Sequence, residues 1–333
     1  MNSRRTVLAA LAAHWLVAAR SAPAQQPPPQ PAKVGWLELY AKGMYAGITG
    51  RGFVKGLREA GFEEGKNLVF VKRSAEGDLA RLRVLARELV DAKVDVIFAP
   101  AKPMADAAWY ASRRIPTVIA TVTDPVRVDY AVALNRPGKH ITGVTTANAE
   151  LIGKRLQLLT ELVPGLKRVG TFIDDDLRAS CAEEVDLMEK AAAFLGLTIV
   201  RIPYKDKAGN IDLEAAVKHA LAARVQALVT APMTSNLDIT DKLAEHALKA
   251  RLPFMHDVPQ LAGSALAVYG PDFEDIFRRA GHYVARILKG EKPAVMPIEE
   301  PREFRMIVNL KVAKALGLKV SQAMMIRAIE VIE

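Results

Sequence analysis

The sequence predicts an α/β protein of two lobes, each a doubly wound parallel sheet covered by helices on both faces. Two observations carry that reading. Short runs of branched apolar residues alternate with helix-length amphipathic stretches from Lys33 onward, which is βαβ repetition. The alternation then starts afresh near residue 150 and runs through a second set of similar build, and 333 residues suffice for two such units.

Taken in order, "KVGWLEL" reads as a strand and "GITGRGFVKGLREAGF" as a helix stopped at Gly61. "NLVFVKR" is a strand, and "LARLRVLARELVDAK" is a helix with apolar residues three and four apart. "VDVIFA", "MADAAWYASRR" and "PTVIAT" follow as strand, helix and strand. The second set opens with the amphipathic helix "ELIGKRLQLLTELVPGL" and the strand "KRVGTFID". It continues through "EEVDLMEKAAAFLG", "LTIVRIPY", "LEAAVKHALAAR", "VQALVTAP", "DITDKLAEHALKAR" and "LPFMHD" as alternating helices and strands. The end is less regular. "YGPDFEDIFRRAGHYVARILKG" is one helix behind a Gly-Pro turn, "KPAVMPIEEPREF" an extended crossing, "RMIVN" a strand and "KVAKALGL" a helix. Several crossings between lobes make a hinge, and closure of hinged lobes around a ligand is a known switching mode.

The start of the chain speaks of export. "MNSRRTVLAALAAHWLVAARSAPAQQ" has a charged beginning, an apolar run from Val7 to Ala19, and Ala22-Pro23-Ala24 as a cleavage signal, with the cut expected after Ala24. Ser3-Arg4-Arg5-Thr6-Val7-Leu8 also has a twin-arginine look, so either export route stays open. Residues 25–32 form a Pro-rich linker. No later stretch approaches the length of a membrane span, so a protein soluble in the periplasm is expected. Cys181 is the only cysteine, which excludes an internal disulfide, and the absence of a cysteine at the signal end speaks against a lipid anchor. The net charge is +9; without Arg4, Arg5 and Arg20 it is 43 basic against 37 acidic residues, or +6. These charges are mixed along helices, which points to a solvated surface and no nucleic-acid partner.

Several stretches together resemble the ABC-transporter substrate-binding protein family that includes tryptophan- and tyrosine-type uptake proteins. They are "GFVKGLREAGFEEGKNLVF" at 52–70, "AEGDLARLRVLARELVDAKVDVIFA" at 75–99, "IPTVIATVTDPV" at 115–126, "LNRPGKHITGVTT" at 134–146, "GKRLQLLTELVPGLKRV" at 153–169, "YGPDFEDIFRRAGHYVARILKGEKPAVMPIEEP" at 269–301 and "FRMIVNLKVAKALGL" at 304–318. The resemblance implies a type I periplasmic-binding-protein fold with a three-crossing hinge and a ligand in the cleft. The expected division is lobe 1 at 33–146 plus 270–302 and lobe 2 at 147–269 plus 303–333. It also implies a permease as partner; a monomer is expected.

Ligands of open α/β sheets lie beyond the carboxyl ends of the strands. The candidate ligand contacts are therefore Tyr40, Tyr45, Pro100, Ala101, Lys102, Thr123 and Asp124 from lobe 1, and Asp174, Met233, Thr234, Ser235 and Asp257 from lobe 2. Lys102 stands just before a helix with Pro103 in its first turn, and free N–H groups plus a cation attract a carboxylate. The alternative for Lys102 is a solvent-facing rim lysine. Where relatives carry a loop of Ser-Gly-Thr-Pro type, this chain has Ala99-Pro100-Ala101-Lys102-Pro103, which favours a more anionic ligand. Asp124 either holds a ligand ammonium or caps the turn at Pro125. Tyr40 and Tyr45 either stack on a ring or wall the cleft. Asp174-Asp175-Asp176 reads as helix capping before it reads as a metal site, and Met233-Thr234-Ser235-Asn236 offers polar contacts.

Catalysis has no positive sign. There is no G-x-S-x-G elbow, no G-x-G-x-x-G and no G-x-x-x-x-G-K-[ST] loop, and no cofactor is expected. The leading expectation is a receptor for an amino acid or other small carboxylate. The alternative is an exported two-lobed hydrolase or isomerase working between Lys102, Asp124 and His256. A transcription regulator on the same lobes would need a basic helix-turn-helix before the first strand, where the signal segment stands.

Overall fold

The computed structural model describes residues 30–40, 44–146, 148–173, 182–206, 209–230 and 239–333. The first sheet holds β1 (Ala32–Glu38), β2 (Leu68–Ser74), β3 (Val96–Phe98), β4 (Thr117–Val122) and β5 (Ile141–Thr145). Its order is β2-β1-β3-β4-β5, with every pairing parallel. The second sheet holds β6 (Arg168–Ile173), β7 (Thr198–Pro203), β8 (Ala227–Thr230), β9 (Phe254–His256), β10 (Ala267–Pro271), β11 (Phe304–Asn309) and β12 (Glu330–Ile332). Its order is β12-β11-β10-β9-β8-β6-β7, and only β10 and β11 run antiparallel.

The helices among the described residues are α1 (Met44–Glu59), α2 (Arg81–Asp91), α3 (Lys102–Ala111), α4 (Asn148–Leu162), α5 (Ala182–Phe194), α6 (Leu213–Ala222), α7 (Thr240–Lys249), α8 (Phe273–Leu288), α9 (Leu310–Leu316) and α10 (Gln322–Arg327). Period-two alternation on β1 shows how the winding arises. Val34 and Trp36 join the core that Phe53 of α1 and Phe277 of α8 complete. Leu37 and Leu39 join the core on the opposite face, with Leu82 of α2 and Met104 of α3. Phe53 stacks on Phe98 at 3.9 Å between ring centroids, and Trp36 meets Phe53 edge-on at 4.9 Å. In the second sheet, Leu228 of β8, Val217 of α6 and Leu243 of α7 build the third core.

The chain passes between sheets three times: after β5, after β10, and along residues 299–304. On the second passage α8 returns to the first sheet and packs against α1. Glycines allow that contact. A Cβ on Gly56 would sit 1.9 Å from the Arg278 carbonyl oxygen, and one on Gly281 2.4 Å from that of Phe53. Asp272 caps α8 by accepting from the Asp275 N–H at 3.1 Å. On the third passage Glu299 lies beside β5, its N–H donating to Gly143 and its carbonyl accepting from Thr145. The hinged, doubly wound architecture of the type I periplasmic-binding fold is thus present.

Four elements differ from the sequence reading. β5 and β12 are strands and α10 is a helix where no element was expected, and residues 267–271 form β10 rather than only a turn before α8.

Candidate ligand-binding site

The carboxyl ends of β1, β3 and β4 bring together the lobe-1 candidates. β1 runs out into Leu39 and the half-buried Tyr40, whose ring packs over the backbone at Gly77. Tyr45 lies in the first turn of α1. After β3 the chain turns at Pro100, whose carbonyl accepts from the N–H groups of Ala120 (2.9 Å) and Thr121 (2.7 Å). That double anchor ties the β3 exit to the end of β4. Ala101 is the cap residue of α3, extended at φ −121° and ψ 166°. Its methyl group cannot accept a hydrogen bond, so no side chain caps the helix. Pro103 has no N–H to satisfy. The N–H groups of Lys102 and Met104 meet no acceptor among the described residues. An uncapped helix start of this kind attracts an anion through its exposed donors and its dipole.

The Lys102 side chain is not a lone cation. Its Nζ lies 2.8 Å from Oδ2 of Asp106, one turn on, and three quarters of the side chain is covered. The Tyr130 hydroxyl donates to the other oxygen of Asp106. Burial, reinforced by the Asp106 charge, holds the Tyr130 hydroxyl protonated. Lys102, Asp106 and Tyr110 line a cavity of about 320 Å³ between α2 and α3. The charge presented here is that of the pair, with the Lys102 ammonium already partly balanced.

Thr123 is buried after β4, and its carbonyl accepts from the Thr145 hydroxyl at 3.4 Å. Asp124 caps the turn: its Oδ1 accepts from the N–H groups of Val126 (3.1 Å) and Arg127 (3.0 Å). Of its two sequence readings, the capping one describes these contacts.

In the second lobe, Asp174, Met233, Thr234 and Ser235 lie outside the described residues. Asp257 follows β9, is buried, and its Oδ1 accepts from the Thr230 hydroxyl at the end of β8 (3.2 Å). Behind it stands Arg155 of α4, fully buried, with a guanidinium N–H donating to the Tyr269 carbonyl at 3.4 Å. Burial pulls the Arg155 guanidinium down, and the Asp257 charge pulls it back up. Thr146, on the first crossing, is also fully buried, and its hydroxyl has no hydrogen-bond partner among the described residues. Arg155 escaped the sequence reading, although its signal was present. It stands three residues after Ile152 and four before Leu159, on the stripe that faces the core.

His256 is not poised for catalysis. Its Nδ1 accepts from the Val258 N–H at 3.2 Å and its Nε2 faces the Leu261 carbonyl at 3.0 Å. Those partners fix the neutral ring with the proton on Nε2, and burial pushes its pKa down to about 3. Both nitrogens are occupied, which leaves His256 unable to serve as the base of the hydrolase alternative. Among the described residues no three His, Cys, Asp or Glu side chains are placed to hold a metal ion. A separate cavity of about 960 Å³ opens between the start of α8 and the start of β11. Its charges neutralise one another, Arg278 pairing with Asp275 and Arg279 with Glu299, so it offers a ligand no net charge.

This geometry has close counterparts. A tyrosine-binding protein of Clostridioides difficile is 26% identical over 273 residues, spanning 81% of this chain and 76% of that protein. A conserved domain protein of Vibrio cholerae superposes with a TM-score of 0.78 at 26% identity, covering 91% of this chain and all of the other. A streptococcal ABC domain in complex with L-Trp superposes with a TM-score of 0.79 at 22% identity over the same shares and agrees in fold. The family described as ABC transporter substrate binding protein matches residues 42–332, nearly the whole folded part. With that match the chain belongs to the ABC transporter substrate-binding protein family, whose members bind solutes rather than transform them.

Proposed function

We propose that the protein is an exported receptor that holds a small carboxylate-bearing ligand between its lobes and hands it to a membrane permease. The observation that carries this is the uncapped start of α3, whose free N–H groups lie at the carboxyl ends of β3 and β4. A carboxylate placed there meets backbone donors, and the partly balanced Lys102 ammonium adds to their attraction. Tyr40, Tyr45, Pro100, Ala101, Thr123 and Asp124 supply the rest of the lobe-1 face. Asp174, Met233, Thr234, Ser235 and Asp257 supply the lobe-2 face. The lobes are 33–146 plus 270–302 and 147–269 plus 303–333. A relative named for tyrosine binding supports an amino acid as the ligand. Cleavage after Ala24 leaves a soluble periplasmic monomer.

A thermal-shift screen of residues 25–333 against amino acids and aromatic carboxylates tests this. A true ligand at a hundredfold excess over its Kd stabilises by about 2.7 kcal/mol. No shift with any amino acid or carboxylate would refute the ligand class.

A further inference from the structure

Glu38 ends β1 at the level of Pro100, because Trp36 is in register with Phe98 on the neighbouring strand. It therefore stands one strand away from the start of α3, at the ligand-bearing end of the sheet. Alternation puts Glu38 on the same sheet face as Val34 and Trp36, the face covered by α1 and α8. Glu38 is half-buried, yet its carboxyl makes no hydrogen bond among the described residues. The charged groups that act on it are Lys72 of β2 and Glu76 of the turn after β2. β3 contributes only the uncharged Phe98 and Pro100 at this level, and α1 lays Gly50 over the Trp36 ring. Lys72 does not take up the carboxylate directly: its ammonium lies over the Trp36 ring, 4.7 Å from the centroid, and 5.5 Å from that of Phe70.

We propose that Glu38 is a specificity-determining residue that receives a cationic group of the ligand, while the start of α3 receives its carboxylate. The inference rests on the ligand reading above and adds to it a residue and a selectivity. Glu38 and the helix start stand at the carboxyl ends of the adjacent strands β1 and β3, on the ligand-bearing edge of the sheet. A simple carboxylate would leave Glu38 half-buried and with no donor among the described residues.

The electrostatics give this a second readout. Burial pushes the Glu38 carboxyl up to about 7, with Glu76 adding to the rise and Lys72 opposing it. Near neutral pH the empty site thus holds a proton on Glu38 in about half of the molecules. An arriving ammonium favours the ionised form. The Glu38 proton then leaves to solvent, and the ligand ammonium keeps its own three. Binding of an ammonium-bearing ligand is therefore linked to proton release, and its affinity rises with pH up to the carboxyl's value in the empty site.

The test uses residues 25–333 and four probes: L-tyrosine, L-tryptophan, and the ammonium-free 3-(4-hydroxyphenyl)propanoate and benzoate. Titration calorimetry from pH 5.5 to 8.5 should show the amino acids bound more tightly. Their affinity should rise by up to about tenfold per pH unit below 7 and level off above 8. Glu38→Gln should weaken amino-acid binding by roughly ten- to a hundredfold. It should also abolish the pH slope and leave the binding of 3-(4-hydroxyphenyl)propanoate unchanged. Equal affinity for amino acids and their ammonium-free counterparts overturns the inference while leaving the receptor reading standing. So does a Glu38→Gln variant that keeps its affinity and slope. If none of the four probes binds, the ligand reading fails, and carbon-13 carboxyl titration of the empty protein decides on Glu38. A glutamate resonance titrating near 7 and lost in Glu38→Gln upholds the undersaturated carboxyl; no such resonance overturns it.

Discussion

Arg155 and Asp257 should prove to be energetically coupled, and the structure sets the scale. Arg155 is fully buried and Asp257 is 3% exposed, so neither charge is relieved by solvent. Asp257 favours the charged state of Arg155, and the Thr230 hydroxyl satisfies part of Asp257. Breaking a directly paired buried couple costs about 3–5 kcal/mol, which bounds the effect from above. Arg155→Met keeps most of the side-chain volume and removes the cation that acts on Asp257. Asp257→Asn keeps an acceptor for Thr230 and removes the charge that favours the charged Arg155. Each single variant should therefore lose between about 1 and 5 kcal/mol. The double variant should lose less than the sum by about 1–3 kcal/mol. Urea denaturation of the four proteins closes the cycle. Single costs below about 1 kcal/mol, or strict additivity, would refute the coupling.

Further outcomes follow from other contacts. Gly56→Ala and Gly281→Ala each put a Cβ into backbone of the facing helix, and each should destabilise by about 1–3 kcal/mol or more in a thermal melt. Burial lowers His256 to about 3 and His140 to about 4, so both are neutral in the folded state while the unfolded chain takes up protons below about 6.5. Each thus contributes stability that is complete above that pH and is lost on acidification, by about 1.4 kcal/mol per pH unit. Glu38, raised to about 7, acts in the opposite sense between its unfolded value of 4.5 and 7. Stability of the ligand-free protein should therefore fall between pH 6.5 and 4.5 with a net slope of one proton, and Glu38→Gln should steepen it to two. Lys102→Met should weaken carboxylate binding by roughly tenfold with little change in melting temperature, and Asp106→Asn, which frees the Lys102 ammonium, should tighten it. Affinity unchanged in both would make Lys102 a rim residue.

The sequence carried the βα alternation because each element's periodicity is local. β1 shows it in Val34 and Trp36 against Leu37 and Leu39. Elements defined by long-range pairing were hidden. β5, ITGVT, shows no clear period because it is short and Gly143 interrupts it. That glycine sits at φ +140°, and a Cβ there would lie 2.1 Å from the Ile119 carbonyl oxygen of the next strand. β10 ends in Gly270-Pro271, which signals a turn, yet β9 on one side and β11 on the other hold it extended. β12 and α10 are short, α10 mostly exposed and β12 only half-buried, so they carry little hydrophobic pattern. In the site, the α3 start was legible from Ala101-Lys102-Pro103, because capping chemistry is local. The Asp106 partner of Lys102 was legible as spacing only, four residues on in a helix. Arg155 and Glu38 were not found, because their meaning depends on what packs against them. Arg155 is marked only by its place on the apolar stripe of α4, and Glu38 reads in the sequence as one more surface charge.

The most direct measurement is native mass spectrometry of residues 25–333 incubated with an equimolar mixture of amino acids and aromatic carboxylates, followed by release and identification of what was bound. The account expects one equivalent of one ligand class, retained through buffer exchange and recovered chemically unchanged. A protein that retains none of them, or that returns a transformed product beyond one equivalent, would contradict it.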